Sequence, residues 1–187
     1  MRKSGILLPV SSLPSAYGIG CFSGEAYEFI DKLKAAGQSY WQILPLGPTS
    51  YGDSPYQSFS SFAGNPYFIS LDDLVEDGYL TREDCTSCDF GDNEEYVDYE
   101  KLYKNRFLLL RKAYENSHIK DNVEFQSFVL ENKDWLDNYA LYMAVKTHFN
   151  NTCWVEWDED IKLRKPEALK KYQKEYADEV EFYQFQQ

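Results

Sequence analysis

The amino-terminal part of the chain has the pattern of a strand, a helix and a second strand. The apolar run Ile6–Leu8 predicts a short buried strand that ends at Pro9. Apolar residues at helical spacing follow Ser23, a favoured helix N-cap, and stop at Gly37. The second strand is predicted over Tyr40–Leu46. This order is typical of a βαβ unit with two parallel strands.

Two loops, Ser11–Ser23 and Gly47–Pro66, follow the predicted strands. In α/β proteins the loops that leave the carboxyl ends of parallel strands build the functional site. The second loop contains the stretch "SYGDSPYQSFSSFAGNP", which has neither a helical period nor a strand alternation. Its aromatic residues exceed what a solvated loop needs, and its Gly, Pro and Asn residues do not suit a core strand. We therefore expect this loop to hold a ligand.

The chain after Pro66 is predicted to be mainly helical. A short extended piece and a short helix come first, and Thr81 is placed to cap a further turn. The remaining helical patterns run over Glu94–His118, around Phe125–Val129, over Trp135–Phe149 and from Pro166 to Tyr183. The pattern in Trp135–Phe149 is apolar nearly all round, which predicts a central helix.

Two observations predict that the chain is the first part of a larger protein. No C-cap glycine and no strand follow the last helical pattern, and two parallel strands are too few for a stable sheet. We therefore expect Leu7, Ile43 and the aromatic residues of the last helix to lack packing partners.

Charge narrows the classes of partner. The 187 residues include 31 acidic and 19 basic side chains, for a net charge of −12. Repulsion makes nucleic acid and anionic membrane surfaces poor partners, whereas a neutral ligand such as a sugar is compatible. The apolar run before Pro9 is too brief for a signal peptide, and no stretch of about 18 apolar residues could span a membrane. A cytoplasmic location is expected.

The sequence lacks the motifs that several kinds of catalytic and binding site require. The sequence contains no complete G-x-G-x-x-G, no G-x-S-x-G and no H-E-x-x-H, and its two histidines, His118 and His148, are far apart. Cys85 and Cys88 have the C-x-x-C spacing of a redox or zinc site. Because no second cysteine pair and no nearby histidine accompany them, we favour free thiols. No cofactor and no metal ion are expected.

The second loop has the residue types of a sugar site. Tyr51 and Tyr56 can stack on apolar sugar faces. The polar side chains that can bond sugar hydroxyls are Ser54, Gln57 and Asp53. Cleavage of a glycosidic bond needs two carboxylates about 5 to 9 Å apart, and Asp53 is the one carboxylate in a candidate loop. Its alternative role is that of a turn residue whose side chain bonds its own backbone.

Three stretches carry a family resemblance: "GILLPVSSLPSAYGIGCF", "YWQILPLGPTSYGDSPYQSFSSFAGNPYFISLDDL" and the closing "EFYQFQQ". In order and spacing they resemble the amino-terminal third of the amylomaltases, the cytoplasmic 4-alpha-glucanotransferases also called disproportionating enzymes. The resemblance is most specific in Gly5–Leu74 and looser in the helical part and the last helix.

The resemblance implies an α/β fold that consists of the first strands of a (β/α)8 TIM barrel, incomplete in this chain, and a mostly helical inserted subdomain. Residues 1–71 would form the first βαβ part of the barrel with its substrate loops. Residues 72–164 would form the helical insertion, and residues 165–187 a truncated barrel helix. The remainder of the barrel is expected in the full-length chain.

The resemblance also implies a retaining enzyme that transfers 1,4-alpha-glucan segments between maltodextrins through a covalent glycosyl-enzyme intermediate. Tyr56 matches the tyrosine that stacks on the sugar beside the cleaved bond. Ser54 and Gln57 match neighbouring polar contacts, and Asp53 belongs to the same motif. Tyr51 matches a tyrosine associated with a second, remote glucan-binding groove.

By the same resemblance, this chain holds no catalytic residue. The family's nucleophile Asp, acid/base Glu and transition-state-stabilising Asp lie on later barrel strands, beyond Gln187. We therefore expect the 187-residue chain alone to be inactive. Two other classes of function stay open: a non-catalytic module that binds alpha-glucan, and a redox or metal module at Cys85 and Cys88.

Overall fold

A computed structural model describes residues 2–50, 52–93 and 95–187 of the protein. The chain divides into two compact units, Met1–Ser117 and His118–Gln187. No helix in the described ranges is long and apolar enough to cross a membrane.

The first unit begins with the predicted βαβ arrangement. Strand β1 (Gly5–Leu7) pairs in parallel with strand β2 (Tyr40–Gln42), with Ile6 opposite Trp41. Helix α1 (Gly24–Ala35) connects them. The second strand is shorter than predicted, because the last bond of the ladder runs from the Leu8 amide to the Gln42 carbonyl (3.0 Å) and the chain beyond it reaches Pro45 without further pairing to β1.

Burial of the first strand differs from the prediction. Ile6 and Leu7 are 42% and 56% exposed, so the expected buried strand is wrong for this structure. The expectation that Leu7 and Ile43 lack packing partners agrees with their exposure, which is typical of a sheet of only two strands. The small apolar core of this region contains Val10, Leu13 and Ala26, with Leu8, Phe29, Trp41, Leu46 and Phe68 packed against them.

The described part of the first unit also contains helices α2 (Leu71–Glu76), α3 (Arg82–Thr86) and α4 (Tyr99–Ser117). Thr81 caps α3 as predicted, through a capping box with Asp84. Helix α4 begins at Tyr99, later than the predicted Glu94, which lies outside the described residues. Its start follows from Asp98, whose carboxylate accepts the amide of Lys101 (3.0 Å) as an N-cap does.

The second unit contains helices α5 (Val123–Glu131), α6 (Lys133–His148), α7 (Glu159–Lys162), α8 (Pro166–Glu175) and α9 (Ala177–Gln186). Helix α6 is central, as predicted, since α5, α8 and α9 all contact it. The predicted last helix is in fact two helices, divided at Tyr176, because the packing of both on α6 outweighs a continuous helical pattern. Phe182 and Tyr183 are buried, so the expectation that these aromatics lack partners is wrong.

Candidate functional site

The loops that follow β1 and β2 meet at one small cavity of about 40 Å³. Ser11 and Ile19 line it from the first loop, and Thr49 and Asp53 line it from the second. This is the arrangement that parallel strands favour, since their carboxyl ends lie at the same edge of the sheet. The cavity has room for a few water-sized groups, such as the hydroxyls of a ligand, and not for a whole sugar ring.

Hydrogen bonds within the first loop and between this loop and α2 hold the loop in place. The Gly20 amide donates to the Ser11 carbonyl (3.1 Å), and a Cβ atom at Gly20 would lie 2.2 Å from the Val10 carbonyl oxygen. The Tyr17 hydroxyl donates to the Asp72 carboxylate on α2 (3.0 Å). The pKa of Tyr17 is raised to about 12, mainly by burial and next by this hydrogen bond. The loop is therefore a fixed wall of the cavity.

The second loop turns sharply where it enters the cavity. Gly52 and Asp53 both have left-handed backbone, with φ of 88° and 54°. The Asp53 amide donates to the Ser50 carbonyl (3.1 Å) and closes the turn. Aspartate tolerates this conformation better than most residues do. Tyr51, the predicted residue of a second groove, lies outside the described residues.

The Asp53 carboxylate is a partly buried hydrogen-bond acceptor. It lines the cavity, and within the described ranges it accepts no hydrogen bond from the protein. Burial raises its pKa. The backbone of Asp53 thus forms the turn that the alternative role required, but its side chain does not bond its own backbone there. A carboxylate in this position suits the hydroxyl donors of a ligand or water.

Two tyrosines that the sequence did not suggest as site residues, Tyr67 and Tyr99, complete this wall. Burial raises the pKa of both, and the negative charge of Asp53 raises each further. Asn65 sets the position of Tyr67, because its side chain caps the 3-10 helix Pro66–Phe68 by accepting the Tyr67 amide (3.0 Å). The local signal was the Asn-Pro pair before Tyr67.

The other predicted sugar contacts lie beside the cavity rather than in it. Ser54 is partly buried, and its hydroxyl accepts the Tyr56 amide (3.3 Å). The Gln57 amide donates to the Ser54 carbonyl (3.1 Å). The Tyr56 side chain is 73% exposed, and Gln57 is exposed as well. Among the described residues, the second loop therefore presents one carboxylate in the cavity and an exposed ring in the following turn, Ser54–Gln57.

The Cys85 and Cys88 pair has the surroundings of structural cysteines. Both thiols are free; Cys85 is buried and Cys88 donates weakly to the Asp84 carbonyl (3.5 Å). Burial raises the pKa of Cys85, which makes it a poor nucleophile. Across the described part of the chain, no three His, Cys, Asp or Glu side chains form a group that could hold a metal ion.

The cavity can bind hydroxyl groups but lacks a pair of carboxylates. Asp53 is the sole carboxylate among the described residues that line it, whereas cleavage of a glycosidic bond needs two. The aromatic and acceptor groups suit a neutral, polyhydroxylated ligand. The fold thus defines an α/β protein in which a small cavity, lined by aromatic rings and a carboxylate, lies at the carboxyl ends of two parallel strands.

The sequence matches the 4-alpha-glucanotransferase family over residues 8–187, and the chain belongs to that family. It is 53% identical over 178 residues to the 4-alpha-glucanotransferase of Clostridium butyricum, a match that covers 95% of this chain and 37% of that protein. It is 42% identical over 190 residues to the enzyme of Thermus thermophilus, covering 100% of this chain and again 37% of the relative.

A solved structure agrees with these matches. The Streptococcus agalactiae amylomaltase in complex with acarbose is 40% identical and superimposes with a TM-score of 0.95. The match covers 100% of this chain and 38% of that one. The chain thus spans little more than a third of the length of its relatives.

Proposed function

We propose that this chain is the amino-terminal part of a retaining 4-alpha-glucanotransferase that transfers 1,4-alpha-glucan segments between maltodextrins. Family membership supports the reaction class. A relative of known structure, the Streptococcus agalactiae amylomaltase, was solved in complex with acarbose, which supports a saccharide as the ligand class.

The observation that carries the proposal is the Asp53 carboxylate at the junction of the two strand-end loops, which accepts no hydrogen bond from the residues that the structure describes. Sugar hydroxyls would supply the missing donors. Tyr56 would stack on the sugar beside the cleaved bond, with Ser54 and Gln57 as polar contacts. Tyr51 would belong to a second, remote groove.

We further propose that β1 and β2 are the first two strands of a TIM barrel. Their parallel pairing, their connection through α1 and the loops at their carboxyl ends support this assignment. Residues 1–71 would then be barrel with substrate loops, residues 72–164 an insertion and residues 165–187 a barrel helix.

In this proposal the chain contributes to binding and leaves the chemistry to groups outside it. The family's catalytic carboxylates belong to later strands, and the relatives are almost three times as long as the matched segment, which covers 37% of their length. The isolated chain is therefore expected to transfer no glucan.

The test is the fate of maltotriose incubated with the full-length protein that carries this segment. A disproportionating transferase releases glucose together with maltodextrins longer than the substrate. The 187-residue chain, assayed in parallel, is expected to release neither. Binding of maltoheptaose by the full-length protein without any product would favour the glucan-binding module instead, and hydrolysis without longer products would reject the transferase.

A further inference from the structure

Arg106 is a buried charge that forms no salt bridge with any acidic residue that the structure describes. Its side chain is fully buried on α4, where one guanidinium nitrogen donates to the Ile69 carbonyl. The other two nitrogens, Nε and Nη1, have no hydrogen-bond partner within the described ranges, and no carboxylate there forms a salt bridge with the group.

The burial of the Arg106 guanidinium requires an explanation. Burial of an unpaired guanidinium is costly, and apolar residues of similar volume commonly replace buried charges without loss of stability. Nearby Cys21 and Cys85 do not supply a counter-ion. Burial, the largest cause, raises the pKa of each thiol; Arg106 lowers it, but both pKa values stay raised, which favours the neutral thiols. Arg106 is thus poorly explained as a source of stability.

Its position on α4 relates it to the candidate site. Arg106 follows Tyr99 by seven residues, about two helical turns, so both side chains lie on the same face of the helix. That face meets the segment Asn65–Ile69, where the Tyr67 ring lies 5.8 Å from the Tyr99 ring and 5.8 Å from the Phe107 ring, centroid to centroid.

We propose that Arg106 is a positioning residue for the glucan site: by holding the Ile69 carbonyl, it fixes the segment Asn65–Ile69 against α4 and so places Tyr67 and Tyr99 beside Asp53. Asn65, Tyr67 and Tyr99 all line the cavity. Arg106 itself does not line it, so it acts through these residues rather than on the sugar. This inference rests on the proposed function.

The experiment uses Arg106→Met and Arg106→Lys in the full-length protein. The matched control is Leu110→Ala, which also alters a fully buried side chain of α4 but lies one turn further from the site. Measurements are the thermal midpoint and, for transfer from maltotriose, kcat and KM separately. Lysine can still donate to the Ile69 carbonyl, whereas methionine fills the space without a donor.

We expect Arg106→Met to keep its thermal midpoint at or above that of Leu110→Ala, while kcat/KM falls about tenfold, an effect of misplaced site residues. Arg106→Lys should recover at least part of that loss, and Leu110→Ala should melt earlier with unchanged kcat/KM for its folded fraction.

Three results would overturn the inference: wild-type kcat/KM in Arg106→Met, no recovery in Arg106→Lys, or an equal kinetic loss in Leu110→Ala. If Arg106→Met does not fold, Arg106→Lys becomes the test. A folded Arg106→Lys with the kcat/KM of the wild type supports the role of the donor. A folded Arg106→Lys without transferase activity overturns it. A wild-type protein without transferase activity would instead reject the proposed function.

Discussion

The phenol rings of Tyr67 and Tyr99 lie 5.8 Å apart between centroids and are tilted by 57° to each other. Burial raises the pKa of both tyrosines, and the negative charge of Asp53 contributes to that rise. Neither tyrosine is close to Asp53 in sequence, since one follows the second loop and the other begins α4. Together with Asp53 they line a cavity that contains one carboxylate among its described lining residues. In the proposed function, this group is the inner wall of the glucan site.

Replacement of the acceptor should weaken glucan binding. In the full-length protein, Asp53→Asn is expected to reduce the affinity for maltoheptaose about tenfold, roughly 1.4 kcal/mol, because an amide oxygen is a weaker acceptor than a carboxylate. Titration calorimetry provides the measurement. Asp31→Asn, an exposed position on α1, removes the same charge away from the cavity and should leave the affinity unchanged. Equal losses in both variants would show a general effect of charge.

The alkaline stability of the protein should depend on Tyr17. Because its pKa is raised from 10.0 to about 12, the folded protein keeps a proton that the unfolded chain loses. The free energy of unfolding is therefore expected to fall as the pH rises from 10 to about 12. Tyr17→Phe should lower stability by about 1 kcal/mol at neutral pH, through loss of the bond to Asp72, and should flatten this alkaline decline.

Urea unfolding of the full-length protein at a series of pH values measures both effects of Tyr17→Phe. Tyr27→Phe is the control, since Tyr27 lies exposed on α1. A variant at Tyr17 with the same alkaline decline as the wild type would show that another group causes it.

Replacement by alanine should lower the stability of the protein at one glycine, Gly20, and raise it at another, Gly24. Gly20→Ala places a Cβ atom 2.2 Å from the Val10 carbonyl oxygen and 2.6 Å from the Leu13 backbone, and is expected to cost about 1–3 kcal/mol. Gly24→Ala meets no atom within 4 Å at the start of α1 and is expected to add about 0.5–1 kcal/mol. Thermal midpoints of the two variants check the pair. A neutral Gly20→Ala would mean that the first loop is not held against the β1 end.

The sequence was sufficient for the parts of the fold that depend on local pattern. The parallel pairing of β1 with β2, the helix between them and the capping box at Thr81 all follow from periodicity and cap chemistry. The break at Tyr176 could not be predicted, because it results from the packing of two helices on α6. The exposure of Leu7 contradicts its apolar pattern for a similar reason, since burial depends on what packs against a strand.

The position and lining of the candidate cavity were predicted only in part. The loop composition indicated Asp53, and the βαβ order indicated the edge of the sheet where the cavity lies. Tyr67, Tyr99 and Arg106 were missed because their relation to Asp53 is tertiary. On α4, Tyr99 and Arg106 fit an ordinary helical stripe, and nothing in that stripe distinguishes a site wall from a core.

The most direct test of the central claim compares two exposed rings of the second loop in the full-length protein. Tyr56 and Phe62 are 73% and 71% exposed, so alanine at either position removes a similar surface. We predict that Tyr56→Ala lowers kcat/KM for transfer from maltotriose at least tenfold, through loss of a stack on the reacting sugar, while Phe62→Ala stays within about twofold of the wild type. Wild-type kinetics in Tyr56→Ala, or equal losses in both variants, would contradict the assignment of this loop as the glucan site.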